Sequence, residues 1–192
     1  KDIESADVVI FVGGLDATWE GEESNKMRVH NGVDGFFGGD RTKIELPEVQ
    51  QNALIEISKT GKPIIFVLLA GSAISFNGLE DKLDGILAAW YPGQRGGDAV
   101  ADVLFGKYNP AGRLPITFYS STNELGDFED YNMRAGKGLT YRYYNGEALF
   151  PFGHGMSYTK FHYSGLTINS ATVSNNDEIY VSVKVKNIGE LD

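Results

Sequence analysis

Apolar residues fall along the chain in three successive patterns. Val8 to Val12 (VVIFV) is a short continuous β-branched run between Asp7 and Gly13-Gly14. That is the pattern of a strand buried on both faces of a parallel sheet. Pro47 then opens PEVQQNALIEISKTG, where Val49, Ala53 and Ile57 stand four apart on one side of a helix. Proline suits the first helical turn and Gly61 the stop. Pro63 to Ala70 (PIIFVLLA) repeats the fully buried strand and ends in the small-residue turn Gly71-Ser72-Ala73. Gly85 to Trp90 reads as a third strand, closed by the turn Tyr91-Pro92-Gly93-Gln94. A helix follows from Gly96 to Leu104, with Val100, Val103 and Leu104 at helical spacing and Gly106 as its stop.

Strand and helix in alternation with short links predict an α/β fold, a mostly parallel sheet flanked by helices in an α/β sandwich. Ligands in such sheets bind outside the carboxyl ends of the strands. The carboxylates Glu20, Glu22 and Glu23 follow the first strand, and Tyr91-Pro92-Gly93 follows the third. Both are therefore expected at the same sheet edge.

The character changes beyond Asn109. Glycine, proline and aromatic residues dominate NPAGRLPITFY, DFEDYN and GLTYRYYNGEALFPFGHGMSY. Leu114 to Phe118 reads as an edge strand, because Pro115 is denied a central place. The rest reads as an ordered wrap pinned by rings. From Phe161 the period becomes two: Ile179, Val181, Val183 and Val185 alternate with Tyr180, Ser182, Lys184 and Lys186. That marks an antiparallel strand with one buried face. The domains read as 1–118, an α/β sandwich truncated at its amino end; 119–160, an aromatic, glycine-rich wrap and linker; and 161–192, the beginning of an all-β sandwich. Two strands do not make a stable sandwich. With an opening KDIESADVVIF that lacks a methionine, this predicts a piece of a longer protein.

Composition narrows the function classes. The 192 residues are 42% apolar and 12% aromatic, with a net charge of -9. That balance argues against a nucleic-acid partner, which requires clustered Lys and Arg. No apolar run approaches the ~20 residues that cross a bilayer, so no membrane partner is expected. The absence of cysteine excludes disulfides, zinc-thiolate sites and thiol catalysis. Gly13-Gly14 is not followed by a dinucleotide fingerprint, and Gly71-Ser72-Ala73 lacks the second glycine of a nucleophile elbow. His30, His154 and His162 offer no metal-binding pair and read as packing or surface residues.

The candidate chemistry lies between Trp19 and Pro47, WEGEESNKMRVHNGVDGFFGGDRTKIELP. A solvated acidic loop is the commoner meaning of three clustered glutamates. Here, however, Trp19 adjoins them and Gly21 lies between them. An apolar ring and neighbouring carboxylates both raise a carboxyl pKa, and a glutamic acid still protonated at neutral pH can act as a general acid. The aromatic crowd from Tyr141 to Tyr158 fits either packing of the wrap or stacking on sugars.

Five stretches carry a resemblance: ADVVIFVGGLDATWEGE, GGDRTKIELPEVQ, GKPIIFVLLAGSA, AAWYPGQRGGDAVADVLFGKYNPAGRLPITF and TYRYYNGEALFPFGHGMSYTKF. In this order, spanning nearly the whole chain, they resemble the carboxy-terminal α/β-sandwich domain of glycoside hydrolase family 3, the β-glucosidases and β-xylosidases. The tail from Phe161 is similar to the start of the fibronectin type III-like domain that follows in many members. TYRY, the PFGHG stretch and DFEDYN lean toward the β-xylosidase branch, with β-glucosidase and arabinofuranosidase activities on closely similar sequences. A non-catalytic sugar-binding or docking domain is the competing class.

The resemblance implies a retaining, exo-acting enzyme acting on an oligosaccharide, with terminal β-D-xylosyl residues as the favoured substrate. Its Asp nucleophile would come from an amino-terminal TIM-like barrel of the same parent, and its acid/base Glu from this domain. The chain alone is then expected to be inactive. Matching GLDATWEGE to the family's TxExEGxDR segment implies Glu22 as the acid/base, with Glu23 as the alternative. Glu20, Trp19 and Glu23 would tune its pKa or contact substrate. SNKMRVHNGVDGFFG stands inserted before Gly39-Asp40-Arg41, where Asp40 and Arg41 would anchor the far end of the loop, as an ion pair. No metal or organic cofactor is implied, and an extracellular or periplasmic parent is expected.

Overall fold

The computed structural model describes residues 3–20, 33–37 and 40–191. In chain order its elements are β1 (Val9–Gly14), β2 (Phe36–Phe37), β3 (Asp40–Arg41), α1 (Glu48–Ser58), β4 (Ile64–Leu69), β5 (Gly85–Ala88), α2 (Gly96–Leu104), β6 (Phe118–Tyr119), the single turn α3 (Thr140–Tyr143), β7 (Ala148–Phe150), β8 (Phe161–Ile168) and β9 (Val181–Asn187). They divide into two units, residues 1–97 with 113–154 and residues 98–112 with 155–192.

The first unit is built on a parallel sheet in the order β1-β4-β5. Val9 aligns with Ile64 and Gly14 with Leu69; Ile65 aligns with Gly85 and Leu68 with Ala88. Central β4 is the most apolar run of the chain, and Ile64, Phe66, Val67 and Leu68 are all buried. Phe66 meets Phe76 edge-on at 5.4 Å and Phe11 at 5.4 Å. Leu46, Leu54 and Ile74 complete the same core. This is the α/β fold that the alternation of patterns predicts.

Two faces differ from expectation. β1 is packed on one face only: Phe11 joins the core, while Ile10 and Val12 are exposed. Among the described residues β1 pairs with β4 alone, on a sequence typical of a central strand. On α1 the predicted stripe begins at Val49, yet Val49 is 75% exposed and Leu54 is the buried residue. Gln50 explains the rotation. Its Nε2 donates to the Gly14 carbonyl and its Oε1 accepts from the Gly14 N–H, both at 2.8 Å. A polar side chain thus takes a core-facing place because it pairs backbone groups at the end of β1, where an unpaired buried amide is costly.

The wrap is ordered around rings and backbone bonds. β6 pairs antiparallel with β7 and shares only Phe118 with the predicted edge strand Leu114 to Phe118. Proline at 115 has no N–H to give, and the chain there is held instead through Leu114, which exchanges 2.8 Å bonds with Gly153 and His154. Phe118 packs on Phe150 at 6.2 Å and Tyr119 on Tyr144 at 4.8 Å. Glu45 accepts from both the N–H and the hydroxyl of Thr122, at 2.7 and 2.6 Å.

In the second unit Asn109 Oδ1 accepts from Ser157 Oγ at 2.8 Å and from the Tyr158 N–H at 2.9 Å. The Tyr158 hydroxyl donates to the Val103 carbonyl at 2.8 Å. β8 and β9 form an antiparallel pair with Tyr163 opposite Val185 and Ile168 opposite Val181. The alternation of valine and lysine along β9 is that of a strand with one apolar face.

Replacing Gln50 by Leu removes both partners of Gly14. It is expected to lower stability by about 2 kcal/mol in urea unfolding. Val49→Ala, on the exposed side of the same helix, is expected to stay within about 0.5 kcal/mol. Equal effects would show that the helix face is set by the Val49 stripe after all.

Candidate active site

The segment after β1 turns at Asp16, whose carboxylate accepts from the Thr18 N–H at 2.7 Å. Trp19 follows, and its ring meets Phe36 edge-on at 5.0 Å and packs against the buried core. With the ring fixed there, Glu20 reaches across the carboxyl edge of the sheet. The Gly71 N–H donates to its Oε2 at 2.5 Å. The Ser72 and Tyr91 hydroxyls donate to its two oxygens. Arg41 Nη1 lies 3.5 Å from Oε1 in an ion pair whose side chains are only 12% and 10% exposed. The same Nη1 donates to Ser72 Oγ at 2.6 Å and to the Ala73 carbonyl at 3.3 Å. Ser72 therefore receives a proton bond from the guanidinium and passes one on to the carboxylate.

These donors decide the charge of Glu20. Burial pushes its carboxyl up, but Ser72, Tyr91, Gly71 and the Arg41 charge together outweigh burial and hold it below the ordinary glutamate value. The expectation of a raised carboxyl beside Trp19 is therefore reversed at Glu20. Burial and the hydrogen bond to Glu20 push the Tyr91 hydroxyl up to about 12, so it remains a donor. Burial lowers the Arg41 guanidinium and the neighbouring Glu20 raises it, with burial the stronger. Gly71 lies close against two of these side chains. A Cβ there would lie 2.7 Å from the Tyr91 ring and 3.0 Å from Glu20 Oε2.

Of the residues singled out in the sequence, Trp19, Glu20 and Arg41 are brought together here. Asp40 is exposed and sits opposite Phe37 in the β2–β3 pair, while Arg41 sits opposite Phe36. Arg41 pairs with Glu20. Glu22 and Glu23 lie outside the described residues, as does His30. The predicted meeting of the acidic segment with the turn after the third strand is met through Glu20 and Tyr91. Ser72 was read only as part of a turn; its place after a fully buried strand was the available signal. Among the described residues no three His, Asp or Glu side chains converge on a point that could hold a metal ion. A cleft of about 770 Å³ adjoins Glu20 and Arg41 and is walled mainly by Tyr91, Ile116, Tyr119 and Tyr141. No described helix is long and apolar enough to cross a membrane.

A parallel α/β sheet with an acidic segment and a cleft at its carboxyl edge places the chain among α/β domains that carry a site on their strand ends. Residues 1–158 match the glycosyl hydrolase family 3 C-terminal domain, and the chain belongs to that family. It is 51% identical over 164 residues to a xylan 1,4-β-xylosidase of Xylanibacter ruminicola, covering 85% of this chain and 18% of that protein. It is 38% identical over 197 residues to a periplasmic β-glucosidase of Salmonella typhimurium, covering 97% and 24%. The structure of a β-glucosidase from Erythrobacter marinus matches with a TM-score of 0.79 at 32% identity, over 98% of this chain and 24% of that one. The chain thus spans about a fifth to a quarter of the length of these relatives.

Glu20 has a folded pKa below its unfolded value of about 4.3. Its contribution is therefore fully present above the ordinary carboxyl range and is lost as pH falls through the lower folded value. Urea unfolding across pH is expected to give a stability gap between the native protein and Glu20→Gln. That gap should hold at neutral pH and close under acid conditions. A gap that widens in acid would mean that Glu20 is not held as a carboxylate.

Proposed function

We propose that this chain is part of a retaining, exo-acting β-glycosidase that removes terminal β-D-xylosyl residues from xylo-oligosaccharides, with Glu22 as its general acid/base. The nucleophilic Asp and most of the sugar pocket would lie in a TIM-like barrel of the same parent, so the chain alone would be inactive. The observation that carries the reading is the fixation of Glu20 two residues before Glu22. Four donors hold Glu20 as a carboxylate, which unfits it for giving a proton and leaves that part to the next glutamates. A charge kept at Glu20 also favours the protonated form of a nearby carboxyl, as general acid work requires. Glu23 is the alternative, and Trp19, Glu20 and Arg41 position the segment.

In a retaining mechanism the two carboxyl groups stand ~5–5.5 Å apart across the glycosidic bond. One attacks the anomeric carbon while the other protonates the departing oxygen, then deprotonates the water that releases the sugar. A family member 51% identical and named for xylosidase activity supports xylose; relatives named β-glucosidase make glucose the second substrate to test. The periplasmic relative supports an exported parent. A non-catalytic sugar-binding domain is the other class.

In the full-length parent, Glu22→Gln is expected to slow hydrolysis of xylosides with poor leaving groups by about 10²- to 10⁴-fold, with added azide restoring turnover as the glycosyl azide. Parent rates in Glu22→Gln with loss in Glu23→Gln would move the role to Glu23. Parent rates in both would overturn the catalytic reading.

A further inference from the structure

Two residues beyond β5 the chain turns a strained corner. Trp90 stands at φ +54, in the left-handed region that bulky residues rarely adopt. Its surroundings keep it there from both sides. The Ala89 N–H donates to the Leu68 carbonyl at 2.9 Å, carrying the ladder to β4 past the last residue of the strand. The Trp90 ring meets Phe118 edge-on at 6.3 Å and packs against the buried core. Strain of this kind persists only where the surroundings over-determine it, and it clusters at functional sites. What the corner sets is the direction of the next residue, Tyr91.

Tyr91 reaches two elements at once. Its ring lies over the bare α-carbon of Gly71 at the end of β4, and its hydroxyl donates to Glu20 Oε2. The Gly71 N–H donates to the same oxygen at 2.5 Å. The other carboxylate oxygen is fixed from the opposite side. Arg41 can only donate, so Ser72 Oγ accepts from it at 2.6 Å and gives its own proton to Oε1. Each oxygen of Glu20 thus has its own donors, and the plane of the carboxylate is set. The phenol ties that plane to the third strand of the sheet.

We propose that Tyr91 is a positioning residue for proton transfer: the Trp90 corner aims its hydroxyl at Glu20, and that bond fixes the chain from which the next glutamates follow. The role rests on the reading of the acidic segment as proton donor. Two residues span at most about 7 Å of chain, so an error in the placement of Glu20 is handed on to Glu22 and Glu23. A proton donor must lie within hydrogen-bond reach of the oxygen it serves, and a shift of about 1 Å costs up to about 10²-fold in rate. The cost falls on leaving groups that need a proton and spares those that depart as stable anions.

The test uses the full-length parent with xylobiose, whose leaving sugar needs a proton, and dinitrophenyl β-D-xyloside, whose phenolate leaves without one. Tyr91→Phe keeps the ring over Gly71 and removes only the hydroxyl. It is expected to lower kcat/KM for xylobiose about tenfold and for the dinitrophenyl xyloside less than about twofold. In a Glu20→Ala background the same substitution is expected to cost xylobiose nothing further, because the hydroxyl has no carboxylate left to hold. Should Glu20→Ala not fold, the split between the substrates decides alone. Equal losses on the two substrates would show that Tyr91 serves the fold only and would overturn the proposal. No loss on xylobiose, or a full tenfold loss in both backgrounds, would overturn it as well. Glu22→Gln and Glu23→Gln on the same pair separate the two readings. A xylobiose-selective loss in either, with none in Tyr91→Phe, keeps the proton-donor reading and removes the positioning role. If both spare xylobiose while Tyr91→Phe still splits the substrates, the proton-donor reading fails and Tyr91 positions a donor other than these two. A parent that cleaves neither substrate, nor the matching glucosides, overturns both.

Discussion

A single carboxylate joins the ends of the sheet. Glu20 arrives from β1, Gly71 and Ser72 from β4, Tyr91 from β5, and Arg41 from β3. β1, β4 and β5 deliver their follow-on segments to the same edge because their sheet is parallel, Arg41 comes from the antiparallel β2–β3 pair, and the carboxylate accepts what all of them offer. An ionised carboxylate is acceptor-only and has room for several donors at once. Bonds to a charged acceptor are stronger than neutral ones. Without it, the largely buried Arg41 guanidinium would lose the nearer of the two carboxylates that balance its charge, Glu45 being the other, a costly change.

The balance between burial and donors explains why the neighbourhood of an aromatic ring did not set the charge. A ring beside a carboxyl predicts desolvation and a raised pKa. At Glu20 the desolvation is real and is the largest single influence, yet the donors together exceed it. Trp19 turns inward to Phe36 and the core. Its contribution is to fix the chain, so that the next residue can reach the strand ends.

Much of the scaffold was legible because buried parallel strands are written as continuous apolar runs. Ile64 to Leu69 could hardly be read otherwise. Placing the turn after β5 beside the acidic segment followed from topology alone. What was not legible depended on tertiary partners that leave no period. Gln50 counts as polar in any helical pattern, yet it faces inward to pair Gly14, and Val49 is turned outward as a result. β1 has the sequence of a central strand while pairing on one side among the described residues. Ser72 and Arg41 met Glu20 across separations of 52 and 21 residues, which no local motif encodes. The ring-rich wrap was recognisable as ordered, but its use of Tyr119 to hold Thr140 could be read only in three dimensions.

The close packing at Gly71 reaches beyond stability. A Cβ there would press on the Tyr91 ring and the Glu20 carboxylate at once, so a larger residue fits only if one of those two side chains swings aside. The bare α-carbon at position 71 thus sets how closely the phenol and the carboxylate approach the end of β4.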